Sequence, residues 1–230
     1  MKRHLGSRGR KIQCAAKAVI FDMDGVITNT MPDHFRAWQQ VLREAGVIVS
    51  YFDVYRREGQ RGITSLKEIF RVHKKEFHVA EANRLLARKE KIFKRIVKTR
   101  FIPGARNFLR FLSRQGFELA LVTGTSRHEL QQILPAATYS LFKTTVTGND
   151  VFNGKPHPEP FRLALKLLKI KPTQAIVIEN APFGIQAAKA ARLTCMAVET
   201  SLPRKFLKQA DYIFSSISEL RAKINFIRSA

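Results

Sequence analysis

The sequence predicts an α/β fold, a parallel sheet with helices on both faces, interrupted early by an all-helical insertion. Three observations carry this. From residue 101 onward short apolar runs alternate with stretches of helical spacing, an order that right-handed crossovers turn into a parallel sheet. The leading strand candidate, Ala18–Phe21, is apolar at every position, as a strand covered on both faces is. Between it and the alternating series, residues 31–100 read only as helices and loops. The expected organisation is a basic N-terminal arm over 1–17, a core domain from 18–30 and 101–230, and an inserted helical cap domain over 31–100.

Taken in order, Ala18–Phe21 delivers Asp22 and Asp24 at its carboxyl end, with Gly25 directly after them. Period two puts both carboxylates on one side of the chain, and like charges held that close want a cation or a proton between them. Pro32 suits the first turn of a helix whose apolar face is Phe35, Trp38, Val41, Leu42 and Ala45, with Gly46 beyond its end. Tyr51–Gly62 reads as a polar loop, followed by helices near Ser65–His73 and Glu81–Lys98. After a Pro103-Gly104 turn come a helix over Ala105–Gln115, a strand over Glu118–Val122, and a helix that Ser126 and Glu129 open as a capping box. The series continues with a strand over Lys143–Thr147, a helix over Pro158–Leu168, a strand over Ala175–Ile178 and a helix over Gly184–Ala191. Strands over Thr194–Val198 and Tyr212–Phe214 precede a last helix, for which Ser218 is the expected cap.

Composition bounds the function classes. The chain has 230 residues, 45% of them hydrophobic, which suffices for a large core. No apolar run is long enough to span a bilayer, and the basic N-terminal stretch lacks the apolar segment of a secretory signal. The two cysteines, Cys14 and Cys195, have no paired spacing and read as reduced thiols, so a cytoplasmic monomer is expected. Charge is the outlier: 41 Lys and Arg against 18 Asp and Glu leave a net charge of +23. Such a field attracts phosphorylated metabolites and, weakly and without specificity, polyanions such as nucleic acid. A protein that uses its basic faces to bind nucleic acid is the reading from a different functional class.

Ligands of an open parallel sheet bind beyond the carboxyl ends of its strands. Four polar clusters follow strand ends here: Asp22 with Asp24, Thr123-Gly124-Thr125, Lys155, and Glu179-Asn180. A hydroxyl beside a glycine amide seats an anion, a lysine offsets phosphate charge, and acids with an amide oxygen suit Mg2+. Together they point to phosphoryl transfer.

The same stretches carry a family resemblance. Phe21-Asp22-Met23-Asp24-Gly25-Val26-Ile27-Thr28 resembles the first motif of the haloacid dehalogenase superfamily. Leu121-Val122-Thr123-Gly124 is similar to the second, Lys155-Pro156 to the third, and Ile178-Glu179-Asn180-Ala181-Pro182-Phe183-Gly184 to the fourth. The helical insert resembles the small cap of the β-phosphoglucomutase and phosphoglycolate phosphatase subgroup, and His34-Phe35-Arg36-Ala37-Trp38 is similar to the mutase sequence at the cap entry. The resemblance implies a Rossmann-like core and a Mg2+-dependent phosphatase acting on small phosphorylated metabolites. It implies that Asp22 is the nucleophile, Asp24 the general acid and base, and that Thr123, Gly124 and Lys155 hold the transferring phosphate. Asp22, the Asp24 carbonyl, Asn180 and Glu179, directly or through water, would hold Mg2+, with His34 and Arg61 serving the substrate from the cap.

Two residues depart from the family pattern. Asn180 stands where the fourth motif commonly has Asp, and Arg192 where a Gly is usual. A hexose-phosphate mutase is the alternative activity. In β-phosphoglucomutases an arginine after the glycine of the cap loop clamps a second phosphate. Aligned on Gly59 and Ser65-Leu66, that position is Gly62 here, with Arg61 one residue earlier, which favours hydrolysis.

Overall fold

The computed structural model describes residues 11–229. Its centre is a six-stranded parallel sheet in the order β4-β3-β2-β5-β6-β7. The strands are β2 (Ala18–Phe21), β3 (Glu118–Val122), β4 (Thr144–Val146), β5 (Ala175–Glu179), β6 (Thr194–Val198) and β7 (Tyr212–Phe214).

Side chains divide by parity between two cores. Val19, Phe21, Leu119, Leu121, Ile176 and Ile178 face one, which α5 (Ala105–Arg114), α6 (Arg127–Ile133) and α10 (Ile217–Lys223) close with Phe108, Leu112, Leu130 and Leu220. Ala18, Ile20, Ala120, Val122 and Val177 face the other, closed by α8 (Glu159–Leu168) and α9 (Pro182–Ala190) with Phe161, Leu165 and Ile185. Burial on both faces explains the unbroken apolar runs, each large side chain contributing about 1.5–3 kcal/mol.

The insertion forms α1 (Met31–Glu44), α2 (Tyr51–Tyr55), α3 (Gly62–Val72) and α4 (Val79–Ile96), and has its own core of Val41, Leu42, Val54, Leu66, Ile69 and Phe70. The two connections to it run side by side: Thr28 bridges Phe101 in antiparallel fashion, the Asn29 amide donates to the Arg100 carbonyl, and the Ile102 amide to the Ile27 carbonyl.

Several elements differ from expectation. Tyr51–Tyr55, expected as loop, is a helix, because Ser50 and Asp53 close a reciprocal capping box over a buried Val54. The last helix is capped by Ser216, whose hydroxyl accepts the Glu219 amide, whereas Ser218 lies inside it. The expected arm contains β1 (Ile12–Ala16), which pairs in parallel with β8 (Ile224–Arg228), a strand the sequence did not announce. Phe226 of β8 packs on Phe108 and Phe117 of the core. Residues 1–10 of the arm lie outside the described residues. A short helix, α7 (Ala136–Tyr139), also follows α6.

Candidate active site

Strand register builds the site. Phe21 of β2 pairs with Leu121 of β3 and Ile178 of β5, so Asp22, Thr123 and Glu179-Asn180 emerge together at one sheet edge. Lys155 enters from the loop after β4, and the motif's turn is set by Gly25 at φ +91°, the left-handed region that glycine tolerates. A side chain at Gly25 would run into the Asn180 amide and the Ser201 hydroxyl.

The fully buried Lys155 ammonium donates to Asp22 Oδ1 at 2.6 Å, to Glu179 Oε1 at 2.6 Å and to the Val122 carbonyl at 3.2 Å. Glu179 spends its second oxygen on the Asn180 and Ala181 amides, at 2.8 and 3.2 Å. Asp24 is held from three sides: Thr30 donates to Oδ1, Thr125 to Oδ2 at 2.9 Å, and His34 Nε2 lies 3.4 Å from Oδ1. His34 is itself stacked on Phe93, with centroids 4.0 Å apart.

The charges are unbalanced. Burial pushes the Asp22 carboxyl up to about 8, against the lowering pull of Lys155 and with help from Glu179 and Asp24. Burial also opposes the charge on Lys155, yet Asp22 and Glu179 more than offset it and keep the ammonium protonated. Glu58, in the loop between α2 and α3, is raised well above an ordinary carboxylate by burial and by the neighbouring Asp24 and Asp22. For Asp24 burial works upward, but His34 and the two hydroxyls prevail and hold its pKa below the usual value.

A cation answers that excess of carboxylate. Asp22 Oδ2 and Asn180 Oδ1 are buried with no hydrogen-bond partner, an arrangement that costs about 1–3 kcal/mol per group unless something fills the space between. Oxygens of this kind, few and hard, are what Mg2+ takes alongside retained waters, while the Asp24 carbonyl beside them accepts from the Asn180 side-chain nitrogen at 3.1 Å. Among the described residues no three His, Cys, Asp or Glu side chains converge as a metal set, because this donor set mixes a carboxylate, an amide oxygen and a main-chain carbonyl.

Above the edge a cavity of about 510 Å3 lies between the insertion and the core. The loop carrying Gly59 (φ +78°) closes it, since a Cβ there would strike the Lys155 side chain and one at Gly124 would strike the Gly59 backbone. Thr123 turns its hydroxyl to the Thr125 amide at 3.1 Å. Arg61 lines the cavity, but its guanidinium donates to the Phe152 carbonyl at 2.6 Å. Arg57 donates to the Asp53 carbonyl at 2.7 Å and lies 3.4 Å from Glu68. Lys89 is 3.4 Å from Glu129 and 4.6 Å above the Phe93 ring.

The structure thus brings Asp22, Asp24, Thr123, Gly124, Lys155, Glu179, Asn180 and His34 to one place, and leaves Arg61 engaged at its rim. Arg57, Glu58 and Lys89 escaped the sequence reading because polar residues in a loop or on a basic helix carry no signal of which way they face. Thr30 and Ser201 escaped it as isolated hydroxyls.

The family model described as haloacid dehalogenase-like hydrolase matches residues 19–198. A phosphorylated carbohydrates phosphatase of Thermotoga maritima is 33% identical over 180 residues, 76% of this chain and 81% of the relative. A β-phosphoglucomutase of Bacillus subtilis is 29% identical, covering 90% of this chain and 93% of the relative. A solved structure from Bacteroides vulgatus, provisionally described as a β-phosphoglucomutase, has a TM-score of 0.82 at 32% identity, over 91% of this chain and 88% of that one.

Proposed function

The chain belongs to the haloacid dehalogenase-like hydrolases, and on that premise we propose that it is a Mg2+-dependent phosphatase of small phosphorylated metabolites, sugar or organic-acid phosphates. Its relatives act on phosphoric monoesters as phosphatases or as a mutase, so the enzyme class is common to both readings. Asp22 attacks phosphorus as the ester bond breaks, giving an aspartyl phosphate, and Asp24 supplies the proton to the leaving oxygen. Asp24 then takes a proton from water, whose oxygen attacks phosphorus and frees Asp22. The Gly124 amide, Thr123 and Lys155 hold the equatorial oxygens. Asp22, Asn180 and the Asp24 carbonyl would hold Mg2+, with Glu179 reaching it through water; when bound, the ion offsets charge on the transferring group. The low pKa of Asp24 favours the base half of its role. The proton for the acid half comes with a monoanionic substrate phosphate or from bulk water.

Residues 31–100 serve as a cap whose Gly59 loop shields the aspartyl phosphate and shapes the cavity that selects the substrate. The observation that carries hydrolysis over mutase chemistry is the state of the cavity's cations. A mutase needs a free cation for the second phosphate of a bisphosphate while the sugar reorients. Here Arg61 is spent on the Phe152 carbonyl, Arg57 on Glu68 and the Asp53 carbonyl, and Lys89 on Glu129. Such a cavity suits a substrate that carries a single phosphate.

The test supplies β-glucose 1-phosphate with a trace of the 1,6-bisphosphate and Mg2+, beside a panel of sugar and organic-acid phosphates. Free phosphate and glucose 6-phosphate are followed together. Phosphate release from members of the panel, with little glucose 6-phosphate, is the expected result. Fast isomerisation without phosphate release, lost on Arg61→Ala, would replace this reading with a mutase in which Arg61 swings inward.

A further inference from the structure

One charged side chain of the cavity, Glu58, takes no part in holding phosphate or metal. The other acids that line the cavity are engaged: Asp53 closes the Ser50 capping box, Glu90 meets Lys94 at 3.1 Å and Glu129 meets Lys89 at 3.4 Å. Glu58 has no ion-pair partner among the described residues. Its Oε1 accepts the Gly59 amide at 2.9 Å, which leaves Oε2 without a partner in a side chain that lines the cavity. The loop that presents it is braced from behind, where Gln60 donates to Glu68 at 2.9 Å and accepts from Ser65 at 2.8 Å. In front, Gly59 lies against the Lys155 side chain and Gly124, so Glu58 stands beside the phosphate seat. Burial, with the nearby Asp24 and Asp22, raises its carboxyl well above the ordinary range. A substrate carboxylate brought here would meet Asp24, Glu58 and Glu179, while Arg57, Arg61 and Lys89 on the cavity wall are already engaged. A hydroxyl meets no such penalty, because a carboxyl oxygen accepts its proton whether or not the acid is ionised.

We propose that Glu58 is a specificity residue: it accepts a hydrogen bond from a hydroxyl of the leaving alcohol and so selects sugar and polyol phosphates against phosphorylated carboxylic acids. This rests on the phosphatase reading and narrows it to one of its two substrate classes. Placing like charges together at a binding surface disfavours the wrong ligand strongly, on the order of tenfold or more.

The experiment compares matched pairs of substrates that differ in a terminal CH2OH or carboxylate: sorbitol 6-phosphate with 6-phosphogluconate, and glycerol 3-phosphate with 3-phosphoglycerate. Phosphate release gives kcat/KM for each with the wild-type chain, Glu58→Ala and Glu58→Lys, and thermal melts report the fold. The wild-type chain is expected to favour the polyol member of each pair on the order of tenfold or more. Glu58→Ala should bring that ratio toward one, and Glu58→Lys, which adds a free cation to the wall, should turn it toward the acids. A merely structural role would lower both members of a pair together and leave the ratio where it was. If Glu58→Ala loses its cooperative melt, Glu58→Lys decides. A wild-type ratio near one or in favour of the acids, or a ratio that the folded variants leave unchanged, would overturn the proposal alone. No phosphate release from either pair or from the wider panel would overturn it together with the phosphatase reading.

Discussion

The residue with the most unusual environment is Asp22, one of two carboxylates competing for a single buried ammonium. Its raised pKa of about 8 has a measurable consequence. At neutral pH, below that value, the metal-free carboxyl holds a proton, whereas a metal ligand must be deprotonated. Mg2+ uptake should therefore release a proton, and affinity should rise as pH climbs from about 6 toward 8. Calorimetric titration at pH 7 in two buffers of different ionisation enthalpy reads this directly. Equal heats in both buffers would mean that Asp22 is already ionised before the cation arrives. Asp24 differs in kind, since two hydroxyl donors and the nearby His34 ring favour its carboxylate, so two aspartates two residues apart are set for separate tasks by what surrounds them.

At the scale of elements, what was legible in the sequence was whatever depends on local pattern. The four inner core strands follow from apolar runs buried on both faces, and their parallel order from the helices between them. The site's backbone was legible for the same reason, because strand ends fix where Asp22, Thr123 and Glu179 emerge. Missed were features that depend on distant partners. β1 and β8 pair across nearly the whole chain and are too mixed in polarity to stand out. The α2 helix carried a local signal, Ser50 three residues before Asp53, that the surrounding charge obscured. The cavity-facing directions of Arg57, Glu58 and Lys89 arise only when the insertion folds over the core. Arg192 is a departure whose physical meaning the structure supplies. It sits at φ +61° just beyond α9, its amide donating to Lys189 and that of Leu193 to Ala188, the left-handed turn that glycine usually makes. A side chain there costs about 1 kcal/mol. Arg192→Gly should raise unfolding stability by up to about 1 kcal/mol in urea titration, with unchanged turnover. A destabilised variant would show that the Arg192 side chain makes a compensating contact.

The whole molecule combines this core with an uncommonly positive surface. Along α4, Arg84, Lys91 and Arg95 are exposed, as is Lys98 just beyond its end, and among the described residues none has an ion-pair partner. No helix of the described residues is long and apolar enough to cross a membrane. A surface of this kind should bind polyanions weakly and without sequence preference, with affinity collapsing between low and physiological salt as counterions are released. Fluorescence anisotropy with unrelated oligonucleotides over a salt series measures it. Tight, salt-insensitive binding of one sequence would instead mark a dedicated nucleic-acid site. The account as a whole turns on covalent phosphoryl transfer through Asp22. The most direct measurement is peptide mass spectrometry of Asp24→Asn, quenched during reaction with p-nitrophenyl phosphate and Mg2+, because that leaving group needs no proton while the second step still needs the base. The account predicts one phosphoryl group on the peptide containing Asp22, absent when Asp22→Asn is added. Release of p-nitrophenol with no phosphopeptide, or with the phosphoryl group on another residue, would contradict it.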